Sequence, residues 1–416
     1  MLGRPAPNPK PSMTRVRRSP NSASAASRLR FGFEGGGVAA SVWVMHAPPN
    51  QEASLASRAV RVQRMSAEEL SDYLRSLKSE DISRIEVIPT PPAEFEAEGS
   101  GGVVQIFLKK ARKSGWSGSA NAQYWWQDQK PYLSSGITLN YQLRQLNLSA
   151  TYGYVRDLRS ITERTDIFHP DQREYHNSTM RGENIGRHQY RIAATYDINS
   201  KHSVSVESLV ATTKFDQRFL SDEMHVKDTT SFTYSTSEKK RVFGIQGVTV
   251  NYSIELDTTG SSLRFILDYS SIGRSEKNNF FDAHTWRTDA PTDTKIQTAQ
   301  LDYTKVISKS ATFKAGVKYG SISRDNLLTT KGLLNNNWMI DSARSNHFTY
   351  TENLLMAYSA IERTIKHITI NAGIRAEQTF SKGYLVSADQ HFSRDYFGIF
   401  PSLFILRPIN EKKGST

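Results

Sequence analysis

The chain has no cysteine in 416 residues, which excludes a disulfide scaffold and any thiolate-held metal. It also lacks an apolar run near the ~18–20 residues that a membrane helix needs. Hydrophobic residues make up 38% of the chain and mean hydropathy is −0.53, so a membrane reading requires strands with one polar face. The ten histidines are dispersed, with no H-x-x-x-H or H-E-x-x-H pair to hold zinc. No G-x-S-x-G is present either, so nothing in the spacing supports a hydrolase. The reading is of a non-enzyme with no catalytic, cofactor-binding or metal-binding residues, and no cofactor.

Positive charge is plentiful but badly distributed for a nucleic-acid binder. Of the net +12, +8 lies in residues 1–64. That Pro/Ser/Ala/Arg-rich head has the composition of disorder rather than of a basic stripe on a folded surface. Pro5, Pro7, Pro9, Pro11 and Pro20 break any early helix. The apolar stretch Val38–Met45 is late and short and follows a glycine run, so no export signal is evident. Residues 1–60 are therefore set apart as a disordered or non-native segment.

What the sequence does have is alternation. Ile137, Leu139, Tyr141 and Leu143 fall on one face of a strand with polar residues between them, and a similar strand follows from Leu146 to Tyr154 after one tight turn. About twelve such segments can be drawn: 117–126, 132–143, 146–156, 187–197, 202–212, 242–254, 262–272, 295–306, 311–321, 348–360, 367–378 and 396–407. Most approach the ~9–11 residues of a tilted membrane-crossing strand. One face is apolar, as in Leu263, Phe265, Leu267 and Tyr269, in Phe313, Ala315, Val317 and Tyr319, and in Ile368, Ile370, Ala372 and Ile374. The opposite face carries Arg264, Asp268, Lys314, Lys318, Asn371 and Arg375. Short connections alternate with long ones, with one exception in the brief first loop at 127–130, the long being about 157–186, 213–241, 273–294, 322–347 and 379–395. Outer-membrane barrels show this pattern of short periplasmic turns and long external loops. The fold class that follows is all-β, a partial antiparallel transmembrane β-barrel of about twelve strands over residues 114–416. It is preceded at 61–113 by a small α/β piece.

That piece opens with a capping box, Ser66 and Glu69, ahead of Leu70, Tyr73, Leu74 and Leu77 on one helical face. Strands at Arg84–Pro89 and Val103–Leu108 follow, joined through Gly99, Gly101 and Gly102. The glycine turn lacks the Gly-Lys-Ser/Thr ending of a phosphate loop and opens into a strand. Leu77 to Lys110, LKSEDISRIEVIPTPPAEFEAEGSGGVVQIFLKK, closely resembles the end of the plug domain of TonB-dependent outer-membrane receptors. The residues that carry the resemblance are Ile85, Glu86, Val87, Ile88, Pro91, Ala93, Ala97, Gly99, Gly102, Ile106 and Lys109. Thr90, Pro92, Phe95 and Gln105 depart from the usual Asn, Ser, Tyr and Asn. Gly373–Thr379 and Tyr396–Ser402 are similar to barrel segments of the same family.

The resemblance implies active uptake of a nutrient ligand through a plugged barrel in the outer membrane of a Gram-negative bacterium. Its partners would be outer-membrane lipid, a TonB complex acting on the plug, and a ligand held by external loops whose identity no loop sequence reveals. A passive porin or adhesin-type barrel is the alternative, and the plug motif separates the two. Family transporters have about 22 strands, and neither a TonB-binding box nor the first part of the plug is found here. The chain thus reads as a middle piece of a longer receptor. Substrate-binding residues stay unassigned. Trp116, Tyr124, Trp125 and Trp126 read as an interfacial aromatic belt rather than a sugar platform. The sequons at Asn147, Asn177 and Asn251 read as chance.

Overall fold

The computed structural model describes residues 114–407, apart from 128–129, 170, 172, 227–228 and 282–284. Upstream it describes five strands: β1 (Met13–Arg18), β2 (Ser41–His46), β3 (Arg58–Val62), β4 (Ile82–Ile88) and β5 (Val103–Leu108). The helix expected from Ser66 and the Gly99–Gly102 turn lie outside the described residues. So does most of the 1–60 head, but three strands fall in the part of the chain that offers no periodicity. β2 covers the apolar stretch considered as an export signal. β2 to β5 form a sheet in the order β3-β2-β5-β4. β4 and β5 pair antiparallel, with Ile85 opposite Ile106 and Val87 opposite Val104.

The main sheet follows. Its strands are β6 (Gly115–Gln127), β7 (Lys130–Leu143), β8 (Leu146–Phe168), β9 (Glu174–Asp197), β10 (His202–Val226), β11 (Thr230–Glu255), β12 (Ser262–Phe281), β13 (Trp286–Ser308), β14 (Ala311–Leu334), β15 (Asn337–Ile340), β16 (Asn346–Ile365), β17 (Ile368–Leu385) and β18 (Gln390–Leu406). Twelve of them run in sequence order from β6 to β18. β15 is a side hairpin on β14, and β1 pairs with β8. Every pairing in the main sheet is antiparallel. All twelve segments drawn from the sequence are present in this path. β6 and β18 stand at its two ends and do not pair with each other, so the sheet is an unclosed, partial barrel.

Two features differ from the sequence expectation. The strands are far longer than the expected 9–13 residues: β8 has 23, β10 25 and β11 26. Four of the five long connections shrink accordingly, as where β8 runs to Phe168 and β9 starts at Glu174, while 322–347 holds the end of β14, the strand β15 and the start of β16. The physical reason is that ladder hydrogen bonding satisfies the backbone whatever the side chains are. Beyond a bilayer both faces meet water, so apolar alternation stops while the strand goes on. The turns at the other end lie where the sequence puts them, at 144–145, 198–201, 256–261, 309–310 and 366–367.

One turn shows how local chemistry fixes these bends. Asp257 Oδ1 accepts hydrogen bonds from the Thr259 amide (2.9 Å), the Thr259 hydroxyl (2.7 Å) and the Ser261 amide (3.0 Å), while Lys305 donates to Oδ2 at 3.1 Å. Gly260 takes φ 103°, a left-handed value that suits a residue without Cβ. The carboxyl is held far below the usual carboxylate range by the Ser261 hydroxyl first and Thr259 next.

Burial across the sheet is inverted relative to a water-soluble protein. Val317 is 51% exposed while its neighbour Lys318 is 1% exposed. Ile374 is 51% exposed and Arg375 7%. Leu355, Leu403, Ile192 and Phe397 also point outward, whereas Glu183, Arg187, Arg241, Glu352 and Glu377 are buried. In water this would leave apolar area hydrated at ~25 cal/mol per Å² while charges lose their solvation. Against lipid the same arrangement is favourable. The inner face is also more tightly packed than a wet lumen would be. Phe215, Ile245, Ile272, Ile296 and Met356 lie buried among its charges, so inner side chains cover one another rather than lining open water.

Candidate functional site

The inner face balances its charges in local clusters. Glu183, buried on β9, accepts from Arg159 Nε at 2.5 Å and from Gln217 Nε2 at 2.6 Å, with Arg181 Nε at 3.1 Å. Arg191 and Glu207 form a two-pronged pair at 2.7 and 2.8 Å, the geometry that guanidinium and carboxylate favour. Arg375 Nε lies 2.8 Å from Glu377 Oε1, and its guanidinium sits over Phe400, 5.0 Å from the ring centre. Tyr358 donates to Asp302 at 2.9 Å. Nearer the outer end, Glu276 accepts from Arg274 at 2.6 Å and pairs with Lys239 at 2.9 Å. Burial alone would raise the Glu276 carboxyl, but the hydrogen bonds from Arg274, Lys239 and Asn278 prevail and hold it down to about 2.

On the outward face of the sheet, the outer ends of β8 to β11 form a cavity of about 450 Å³ lined by Arg164, Asp166, His176, Glu223, Phe232 and Tyr234 among others. His176 bridges two carboxylates, with Nδ1 2.7 Å from Asp166 and Nε2 3.1 Å from Glu174. Those two hydrogen bonds, Asp166 first, raise its pKa above the ordinary histidine value. Tyr175 is raised as well, by burial and then by Glu223. Phe232 (77% exposed) and Tyr234 (63%) present bare ring faces at the rim. Carboxylates beside free rings can hold a polar ligand by hydrogen bonds and stacking. Among the described residues no group of three or more His, Asp or Glu has metal-binding geometry. Sequence reasoning did not reach these residues, because they lie in what reads as two featureless loops, 157–186 and 213–241. Only their polarity on both faces sets them apart.

The aromatic residues of β6 divide by face. Trp116, Tyr124 and Trp126 are exposed, at 76%, 56% and 63%. Trp125 falls on the other face and stacks on Tyr132 with ring centres 3.7 Å apart. Trp116 meets Tyr141 at the turn end of the sheet. From Trp116 to Trp126 is ten residues, ~34 Å along a strand, or about 25 Å of height at the usual tilt. That equals the apolar band between the two aromatic girdles of a barrel, about 25 Å. Asn147, Asn177 and Asn251 all lie within strands, Asn251 buried.

These faces, girdles and turns define an outer-membrane β-barrel. Residues 254–416 match the Outer membrane protein beta-barrel family, which places this sheet in the outer membrane of a Gram-negative bacterium. No curated protein matches the chain. Among solved structures it is similar to the ferric citrate transporter FecA in its unliganded form, with 9% identity and a TM-score of 0.33, over 78% of this chain and 66% of that one. It is also similar to the ferric yersiniabactin uptake receptor FyuA from Yersinia pestis, with 8% identity and a TM-score of 0.33, over 78% and 67%. A third is the ferric-catecholate import receptor Fiu from E. coli K12, with 9% identity and a TM-score of 0.31, over 78% and 71%. The chain thus spans just under two thirds of the length of the first of these. The outer-membrane assignment rests on the family match and the inverted faces, not on these overlaps.

Proposed function

We propose that the chain is part of a TonB-dependent outer-membrane receptor that takes up a scarce nutrient by active transport. The observation that carries this reading is the order of two features: the plug-like motif from Ile85 to Lys109 comes directly before a lipid-facing antiparallel sheet. A passive porin or an adhesin barrel has no use for that motif. The residues 61–113 would then be the C-terminal part of a plug, and 114–416 part of the barrel around it.

The mechanism this implies needs no covalent chemistry. Ligand held at the outer end would be released inward when a TonB complex pulls on the plug. The test is uptake by cells that carry the intact locus, compared with a deletion strain, for iron chelates, glycans, peptides and cobalamin in turn. Uptake of one of these that depends on the locus and stops when the proton-motive force is collapsed is the expected result. Uptake that survives the collapse would make the barrel a passive pore.

A further inference from the structure

The outward cavity at the outer ends of β8 to β11 holds charges that nothing in the sheet uses. Register sets its side chains in two rows, on the face that lower down turns Tyr190 and Ile192 outward. Asp166, His176, Met224 and Phe232 stand side by side in the upper row. Arg164, Ser178, Asp222 and Tyr234 do so in the lower one. The upper row is internally satisfied, since His176 meets Asp166 through Nδ1 at 2.7 Å and Glu174 through Nε2 at 3.1 Å. The lower row is not. Arg164 and Asp222 are both exposed, and among the described residues neither is held in an ion pair.

Strand spacing explains why these two do not pair with each other. Strands two apart in a sheet are separated by about 9.5 Å, while an ion pair needs its charged atoms within ~4 Å. Ser178 lies between them, and its side chain is too short to fill the gap. One free cation and one free anion thus face each other across an open floor. On the β11 side the rings of Phe232 (77% exposed) and Tyr234 (63%) lie bare. The ligand that completes this arrangement carries a carboxylate toward β8 and an ammonium toward β10, where Asp222 and the adjacent Tyr234 ring both attract a cation. It also carries an apolar group to cover Phe232 and Met224. A neutral sugar would leave both protein charges without a counter-charge. A volume of about 450 Å³ lies within the range of small-molecule sites, about 300–1,000 Å³. Height excludes a lipid headgroup. Arg164 is eighteen residues beyond Leu146, ~61 Å along the strand and about 45 Å up a tilted barrel, roughly 20 Å above the apolar band. The headgroup layer is only about 5–8 Å deep.

We propose that this cavity is a binding site for a zwitterionic amino acid with a large apolar side chain. Its carboxylate lies on Arg164, its ammonium on Asp222, and its side chain against Phe232 and Met224. The site is on the outer wall of the barrel and not in its lumen, so it is reached from outside without any movement of a plug. It stands on the register of β8 to β11 alone. Loss of nutrient import would leave it intact, and failure of amino-acid binding would leave the import reading intact.

The test uses the full chain folded in detergent micelles, with equilibrium dialysis of radiolabelled probes and protein-free micelles as the blank. The probes are phenylalanine, phenethylamine, which lacks the carboxylate, 3-phenylpropionate, which lacks the ammonium, and glucose. The expected result is retention of phenylalanine at least tenfold stronger than that of each of the other three. Arg164→Gln should bring phenylalanine down to the level of phenethylamine, and Asp222→Asn to the level of 3-phenylpropionate. Both side chains are exposed, so neither substitution disturbs a packed interior. Ser178→Leu, which fills the floor, should weaken retention of phenylalanine at least tenfold. Retention of phenylalanine no stronger than that of either one-charge analogue overturns the proposal in the unaltered chain. Stronger retention of glucose overturns it in favour of a sugar site. Undiminished binding of phenylalanine by both Arg164→Gln and Asp222→Asn overturns it too, by placing the amino acid elsewhere on the chain.

Discussion

At the scale of single residues, two carboxylate arrangements make opposite pH statements. Asp257 anchors a periplasmic-side turn, and its carboxyl is depressed by the hydroxyl and amide donors around it. A depressed acid contributes stability above its unfolded pKa and loses it only as pH falls through the folded value. The turn should therefore hold at pH 4. Asp257→Ala should speed amide exchange at Thr259 and Ser261 at least tenfold, and unchanged protection of both amides would show that the side chain does not organise the turn. His176 behaves in the reverse sense. Its raised pKa means that its pairing with Asp166 and Glu174 is fully present below the ordinary histidine value of about 6.5 and fades as pH rises through the folded value. NMR titration of His176 should give a midpoint above ~6.5 that drops in Asp166→Asn. An unshifted midpoint in the unaltered protein would contradict the hydrogen-bonded geometry.

At the scale of elements, the alternation of each strand makes neighbouring positions answer to different solvents. Val317 faces lipid and Lys318 the interior. Val317→Lys should cost roughly 2–4 kcal/mol in a bilayer if it lies near the midplane, and much less in detergent, where the micelle rearranges around the charge. Equilibrium denaturant unfolding in both media measures the difference, and equal costs would mean that this face does not meet hydrocarbon. Glu377→Ala, which removes a carboxylate 2.8 Å from the buried Arg375, should cost up to about 3–5 kcal/mol in either medium. This division between faces was legible in the sequence. Leu263, Phe265 and Leu267 against Arg264 and Asp268 already name outside and inside, because hydrocarbon demands the pattern at every second position. The outer halves of β8 to β14 were not legible. There Lys, Asp, Ser and Thr occupy both faces, and no periodicity distinguishes a solvated strand from a loop. The cavity around His176 was hidden for the same reason. It is assembled by register among the consecutive strands β8 to β11, and register in a two-sided polar strand leaves no mark in composition.

At the scale of the whole molecule, the defining fact is an antiparallel sheet of twelve strands in sequence order whose ends, β6 and β18, do not meet. Amides along an open edge cannot be satisfied by lipid, while detergent and water can cover them. The chain expressed alone should therefore fold in micelles yet give no discrete heat-modifiable band from outer membranes. A heat-modifiable monomer would mean that β6 and β18 pair with each other.

The two edges have a meaning for the cell as well as for the bilayer. Extended backbone with unpaired amides is what strand-adding partners recognise, whatever the side chains. A quality-control protease that binds its clients by β-augmentation would find two docking rails on this chain, one along β6 and one along β18. The lifetime of the protein in the periplasm is then set less by the strength of its packed interior than by how soon something else occupies those rails.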